Sequence, residues 1–238
     1  MKFERRLVQA RLIRRYKRFL ADVELDDGSV MTVHTPNTGS MLGCQEPGSE
    51  VWLLDSDNAK RKYRFGWELV RTANGARVGI NTARSNHLVA EAVLAGRLPE
   101  LGEFESMRRE VRYGRESSRI DLLLERAGGG LCFVEVKNVT AAVSDGVALF
   151  PDAVSARGSK HLRELMYMRE QGHDAAVVFC VQREDVREVR PADAIDPLYG
   201  RTLREAATAG VKALALGARM DDEGIELVRT LPVVMPPL

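Results

Sequence analysis

At Asn74-Gly75 the chain changes its pattern, and that change constrains the fold more than any other feature. Before it, Val8-Gln9-Ala10-Arg11-Leu12, Ala21 to Leu25, Val30 to His34, Val51 to Leu54 and Tyr63 to Leu69 are short alternating or apolar runs separated by turn residues such as Asp26-Asp27-Gly28-Ser29. Side chains of a strand alternate between faces, so these runs predict an antiparallel meander with one buried face. Several short strands within about 80 residues predict a small barrel or a sandwich, and a five-stranded OB-type barrel, a form that commonly presents a nucleic-acid face, is the preferred one. After it, Asn81 to Ala95 has helical spacing and is closed by Gly96 and Pro99. Strands are expected at Phe104 to Tyr113, Arg119 to Leu124 and Leu131 to Lys137, then a loop to Ser159 and a helix opening at Lys160. Ala175 to Val181 is a continuous apolar run and predicts a buried central strand. A helix over Arg201 to Ala209, strands at Val211 to Leu216 and Ile225 to Val228, and a Pro-rich tail over Leu231 to Leu238 complete the α/β half. The expected division is 1–80 and 81–238.

Within the second half, Arg119-Ile120-Asp121, the turn Gly128-Gly129-Gly130 and Leu131-Cys132-Phe133-Val134-Glu135-Val136-Lys137 set two acids and a lysine on adjacent strands. Alternation sends Glu135 and Lys137 to one side and Cys132, Val134 and Val136 to the other. A carboxylate in an apolar strand pair must be neutralised by a neighbour or a metal. Two hard oxygen donors suit magnesium or manganese, and an adjacent ammonium suits an attacking water or a phosphate oxygen. A buried structural ion network is the plain alternative. Glu91, on the preceding helix, is either a further metal-binding acid or a surface residue. Asp152 either assists through water or caps a turn.

Charge is unevenly spread. The overall net charge is +1, yet residues 1–20 carry Lys2, Arg5, Arg6, Arg11, Arg14, Arg15, Lys17 and Arg18 against Glu4 alone, so the remainder is acidic. Such a segment suits a polyanion, with a solvated face as the alternative. Arg61, Lys62 and Arg64, interleaved with aromatics, are the next expected phosphate contacts, while Tyr63, Phe65 and Trp67 are read as packing. Arg157, Lys160 and His161 about Gly158 suggest an anion seat at a helix start. Asn37-Thr38-Gly39-Ser40 reads as a tight turn. No apolar run reaches the ~20 residues of a membrane span. Cys44, Cys132 and Cys180 form no paired framework, which fits reduced structural thiols and a cytoplasmic setting.

The Asp and Glu-x-Lys arrangement resembles the PD-(D/E)XK nuclease superfamily, with Ile120 in place of the motif's proline. That resemblance implies a restriction-endonuclease-like domain whose mixed central sheet is flanked by helices, and products with 5′-phosphate and 3′-hydroxyl ends. Over nearly the whole length the chain is also similar to the sugar fermentation stimulation protein A family. The blocks that carry this likeness are His34-Thr35-Pro36-Asn37-Thr38-Gly39-Ser40-Met41, Asn81-Thr82, Leu88-Val89-Ala90-Glu91-Ala92, Ser118-Arg119-Ile120-Asp121, Glu135-Val136-Lys137-Asn138-Val139-Thr140, Phe150-Pro151-Asp152 through His161, and Pro191 to Pro197. It implies an N-terminal OB-like domain, a nuclease-like C-terminal domain and DNA binding with little sequence preference. Three functions follow as expectations: a metal-dependent phosphodiesterase using Asp121, Glu135, Lys137 and Glu91, a non-catalytic DNA-binding regulator of sugar-utilisation genes, or, third in order, an RNA-processing enzyme. The oligomeric state is left open, a homodimer included.

Overall fold

The computed structural model describes residues 1–144 and 146–237, so Asp145 in the expected loop and Leu238 at the end of the tail lie outside the described residues. The first unit holds β1 (Val8–Tyr16), β2 (Leu20–Glu24), β3 (Val30–His34), β4 (Glu50–Asp55), β5 (Phe65–Arg71) and β6 (Arg77–Gly79). They run in the order β3-β2-β1-β4-β5-β6, and a parallel bridge between His34 and Gly66 joins β3 to β5 and closes the barrel. Alternation works as expected on β1, where Ala10 and Leu12 are buried while Gln9 and Arg11 are exposed. Leu12, Val23, Val33, Met41, Val51, Leu53, Trp67 and Val70 fill the barrel. The Trp67 indole N–H, which would be costly to bury unpaired, donates to the Leu69 carbonyl at 2.8 Å.

The second unit begins with a 3-10 turn over Thr82–Arg84 and continues as α1 (Ser85–Leu94), β7 (Ser106–Tyr113), β8 (Ser118–Glu125), β9 (Leu131–Val139), β10 (Ala142–Ser144), β11 (Val147–Phe150), α2 (Ala156–Glu170), β12 (Asp174–Val181), β13 (Glu188–Pro191), α3 (Pro197–Thr208), β14 (Lys212–Met220) and β15 (Ile225–Leu231). Its main sheet has the order β15-β14-β12-β9-β8-β7. The central strands β9, β12 and β14 are parallel and the flanking pairs antiparallel, so the sheet is mixed. Leu88, Val89 and Ala92 of α1 pack on one face with Leu122, Val134, Val136 and Val178. On the other face Leu162 and Leu165 of α2 and Leu203 of α3 pack with Phe133, Val177 and Phe179. Cysteines 44, 132 and 180 are buried free thiols, and burial pushes Cys44 and Cys132 up to about 11 and Cys180 up to about 12. Among the described residues no helix is long and apolar enough to cross a membrane.

Several elements differ from expectation. The segment read as one loop before Ser159 contains β10 and β11, and β11 pairs in parallel with β13, Val147 lying opposite the distant Glu188. Strands this short leave little periodicity to read, and their pairing is set by tertiary contact. Helix α2 starts at Ala156 because the Ser155 hydroxyl accepts the Gly158 N–H at 3.0 Å, so Gly158 lies inside the first turn. Helix α3 likewise starts at Pro197 behind Asp196, which accepts the Tyr199 N–H at 3.0 Å. Part of the Pro-rich tail is tied down by a bridge between Val233 and Val189.

Several contacts join the units, among them two made by buried or capping charges. Arg84, on the turn before α1, donates to Glu68 of β5 at 2.6 Å with both side chains buried. Asp152 accepts from the Ser40 hydroxyl at 3.1 Å and the Met41 N–H at 3.3 Å. It therefore caps a loop of the barrel, the turn-capping role that was one of its two readings.

Helix α2 also holds the β7–β8 turn. Buried Glu164 accepts the backbone N–H groups of Arg115, at 2.9 Å, and of Glu116. Gly114 has φ 73 in this turn, and a Cβ there would overlap the Glu164 carboxylate. Gly114→Ala is therefore expected to cost about 2 kcal/mol, combining left-handed backbone strain with displacement of the capping carboxylate. Chemical denaturation checks this; an unchanged midpoint would mean that the carboxylate yields freely.

Candidate active site

The ladder between β8 and β9 runs through Leu123↔Phe133 to Leu122↔Val134 and stops there, where the next pair would set Asp121 opposite Glu135. The Asp121 carboxylate fills the gap: Oδ2 accepts the Val136 N–H at 2.7 Å and Oδ1 accepts the Asn86 amide at 2.7 Å. Strand β8 also turns over at this point. Ile120 belongs to the core beneath α2 and Leu122, only two residues on, to the core beneath α1. On β7 the facing position between Arg109↔Leu122 and Val111↔Ile120 is Glu110, which has φ 54. The left-handed residue lies where the strand pair rotates, and the rotation lifts Asp121 out of ordinary alternation.

Glu135 is 3% exposed. Its Oε1 accepts from Lys137 Nζ at 2.7 Å and from His161 Nδ1, while Oε2 is buried with no hydrogen-bond partner among the described residues. His161, also buried, sits on the face of α2 that covers β9, and its Nε2 accepts from Arg157 Nε at 3.4 Å. An acceptor at Nε2 assigns the ring hydrogen to Nδ1, which donates it to Glu135. Two donors on one oxygen leave the other oriented and unpaired.

Electrostatics separates the two acids. Burial first, and the Glu135 carboxylate second, push Asp121 up to about 6. For Glu135 burial acts in the same direction, but the His161 hydrogen bond and the Lys137 charge overcome it and hold the group below the usual carboxylate range. The charge of Glu135 thus disfavours ionisation of Asp121. Burial and the surrounding acids Glu135, Glu164 and Asp121 also push the Tyr113 hydroxyl up, and that hydroxyl is buried without a partner among the described residues.

The structure does not bring Glu91 to this pair. Its carboxylate binds the Met1 amino nitrogen at 2.8 Å and lies 3.8 Å from His87 Nε2. The α1 residue that reaches Asp121 is Asn86, and five residues further along a helix the side chain points about 140° away. Sequence reasoning passed over Asn86, a polar residue in the first turn that carries no charge. It assigned His161 only to an anion seat, because its acidic partner is 26 positions away.

The expected phosphate contacts divide. Arg15 donates to the carbonyls of Asn37 at 2.9 Å and Gly39 at 3.0 Å, serving as a strut under that loop. Arg64 is paired with Asp55, and Arg14 with Asp22 at 2.8 Å. Arg157 is occupied through Nε by His161, and Lys160 donates to the Glu116 carbonyl. Lys62 lies over the Tyr63 ring at 5.5 Å. Arg11 and Arg61 are exposed, with no side-chain hydrogen bond or ion pair among the described residues.

Two family models cover these units. One, described as the SfsA N-terminal OB domain, matches residues 13–80, and the other, described as the sugar fermentation stimulation protein RE domain, matches residues 83–224. A sugar fermentation stimulation protein homolog of Thioalkalivibrio sulfidiphilus is 64% identical over 233 residues, covering 98% of each chain. One from Alkalilimnicola ehrlichii is 58% identical, covering 99% of this chain and 100% of that one. The solved structure of Pyrococcus furiosus SfsA in complex with Ca2+ superposes with a TM-score of 0.85 at 28% identity, covering 98% of both chains. A closed OB barrel followed by the restriction-endonuclease-like α/β unit is the architecture these matches share. Matched in both halves and along almost its full length, the chain belongs to the sugar fermentation stimulation protein family.

Proposed function

We propose that the protein binds DNA and hydrolyses its phosphodiester bonds with the help of a divalent cation, magnesium or manganese. The observation that carries this reading is the unpaired, buried Oε2 of Glu135 set against an Asp121 that its neighbour repels. A buried carboxylate raised by its acidic neighbour is poorly explained as packing, and a bound cation would relieve it. Among the described residues no group of three His, Cys, Asp or Glu is arranged to hold a metal. Two carboxylates are enough for magnesium, which is commonly held by one or two with waters and phosphate oxygens completing its shell. The Ca2+ complex of the Pyrococcus furiosus relative supports a hard, oxygen-seeking cation in this fold.

Asp121 and Glu135 would hold the ion, which would supply Lewis-acid stabilisation of a phosphate oxygen and a more acidic water. The chain's own residues do the rest. His161 and Lys137 orient Glu135 through Oε1, and Asn86 with the Val136 N–H orients Asp121. The Lys137 ammonium, with its side chain 11% exposed, keeps hydrogens available for a water or a phosphate oxygen.

Purified protein incubated with Mg2+ or Mn2+ and plasmid, single-stranded DNA or RNA tests the reading. Cleavage of DNA that requires the metal is expected. Salt-sensitive DNA binding with no cleavage under either metal would leave the non-catalytic regulator.

A further inference from the structure

We propose that Arg112 and Arg119 form a second, unassigned contact for duplex DNA, gripping a backbone phosphate next to the one held at Asp121. The inference rests on the DNA-binding part of the function proposed above. Arg112 of β7 and Arg119 of β8 are direct cross-strand partners, in register between Val111↔Ile120 and Tyr113↔Ser118. Like charges set directly opposite each other destabilise a strand pair. Both are exposed, and among the described residues neither has a side-chain hydrogen bond, ion pair or ring contact.

Three other strand arginines show the usual arrangement. Arg108, on the same strand as Arg112, pairs with Glu125 of β8 at 2.7 Å. Arg71 of β5 pairs with Glu50 of β4 at 2.5 Å, and Arg219 of β14 with Glu226 of β15 at 3.0 Å. In each case the neighbouring strand supplies a carboxylate. At Arg112 the neighbouring strand supplies a second guanidinium.

Position gives the ligand. Arg119 lies two residues before Asp121, at the end of the hairpin where β8 parts from β9 and the carboxylates open. A polyanion crossing that opening would lay a phosphate beside the two guanidinium groups, whose planar forks suit phosphate oxygens. The contact reads no bases, so it would position the backbone without sequence preference. Glu164 of α2 clamps the turn between the two arginines, so they are presented on a fixed scaffold.

The test uses the full chain, a short DNA duplex and chelator in place of metal, which separates binding from cleavage. Arg112→Glu should create a cross-strand acid–base pair with Arg119. Its melting temperature should rise while its affinity for the duplex falls about tenfold, and the dependence of log affinity on log salt should become shallower by about 0.9 for each phosphate released. Arg119→Gln, which reverses no charge, should weaken binding in the same direction by a smaller factor. Wild-type affinity and salt slope in both variants would overturn the inference while leaving the proposed function in place. Failure of the wild type itself to bind duplex DNA would overturn the proposed function, and this inference with it.

Discussion

Asp121→Asn is expected to reduce metal-dependent cleavage by roughly a hundredfold or more, since one of the two carboxylates that would hold the ion is lost, and to make the metal-free protein more stable above pH 6. The sign follows from the raised acid. An aspartate at 3.8 when unfolded and about 6 when folded contributes stability that is fully present below pH 4 and lost as pH rises through about 6. At pH 7 to 8 the folded, ion-free protein therefore carries a cost on the order of 1–3 kcal/mol, taking about 1.36 kcal/mol per pKa unit. Asparagine carries no such cost. The Asn86 amide can turn over to accept from the substituted side chain, which still accepts the Val136 N–H. Denaturant unfolding in chelator, run from pH 4 to pH 8, should show the two proteins converge at the acid end, part between about pH 4 and pH 6, and keep a steady gap above that. Adding Mg2+ should narrow the gap by stabilising only the wild type. A difference that stays constant across pH would mean that Asp121 suffers no repulsion in the fold.

Glu135→Gln should be as damaging to cleavage and, unlike the first substitution, should weaken the fold. Lys137 and His161 both converge on Glu135 Oε1, and Lys137 is nearly buried. Neutralising the acid leaves that ammonium without its counter-charge, at a cost of about 3 kcal/mol. Adding Lys137→Met to Glu135→Gln should recover most of the lost stability, because the unpaired charge is gone, while cleavage stays absent. If the double variant is no more stable than Glu135→Gln alone, the pair is not coupled as the geometry requires. The opposite stability effects of Asp121→Asn and Glu135→Gln distinguish a repelled acid from a paired one on neighbouring strands.

Some of this was legible in residue order. Binary patterning on β1, the apolar run of β12 and the aromatic alternation that buries Trp67 are local properties. So was the Asp121, Glu135, Lys137 set, because polar residues interrupting buried strands need a reason. Phosphate contacts were less legible. Charge can be counted along a chain, but a guanidinium is spent or free according to what folding brings beside it. Arg15 and Arg64 find partners 24 and 9 positions away, whereas Arg112 meets another arginine.

Periodicity and short-range chemistry alone determined that a small all-β unit precedes an α/β one and that two acids and a lysine lie on adjacent strands of the latter. Only the tertiary structure decided which oxygen of Glu135 stays unpaired, that Asn86 and not Glu91 reaches Asp121, and that Arg112 and Arg119 stand opposed. Alternation and capping depend on neighbours within a few residues, so they can be read in order along the chain. Hydrogen-bond saturation, helix rotation and cross-strand register depend on groups far apart in sequence, and they take values only when packing fixes the distances between them.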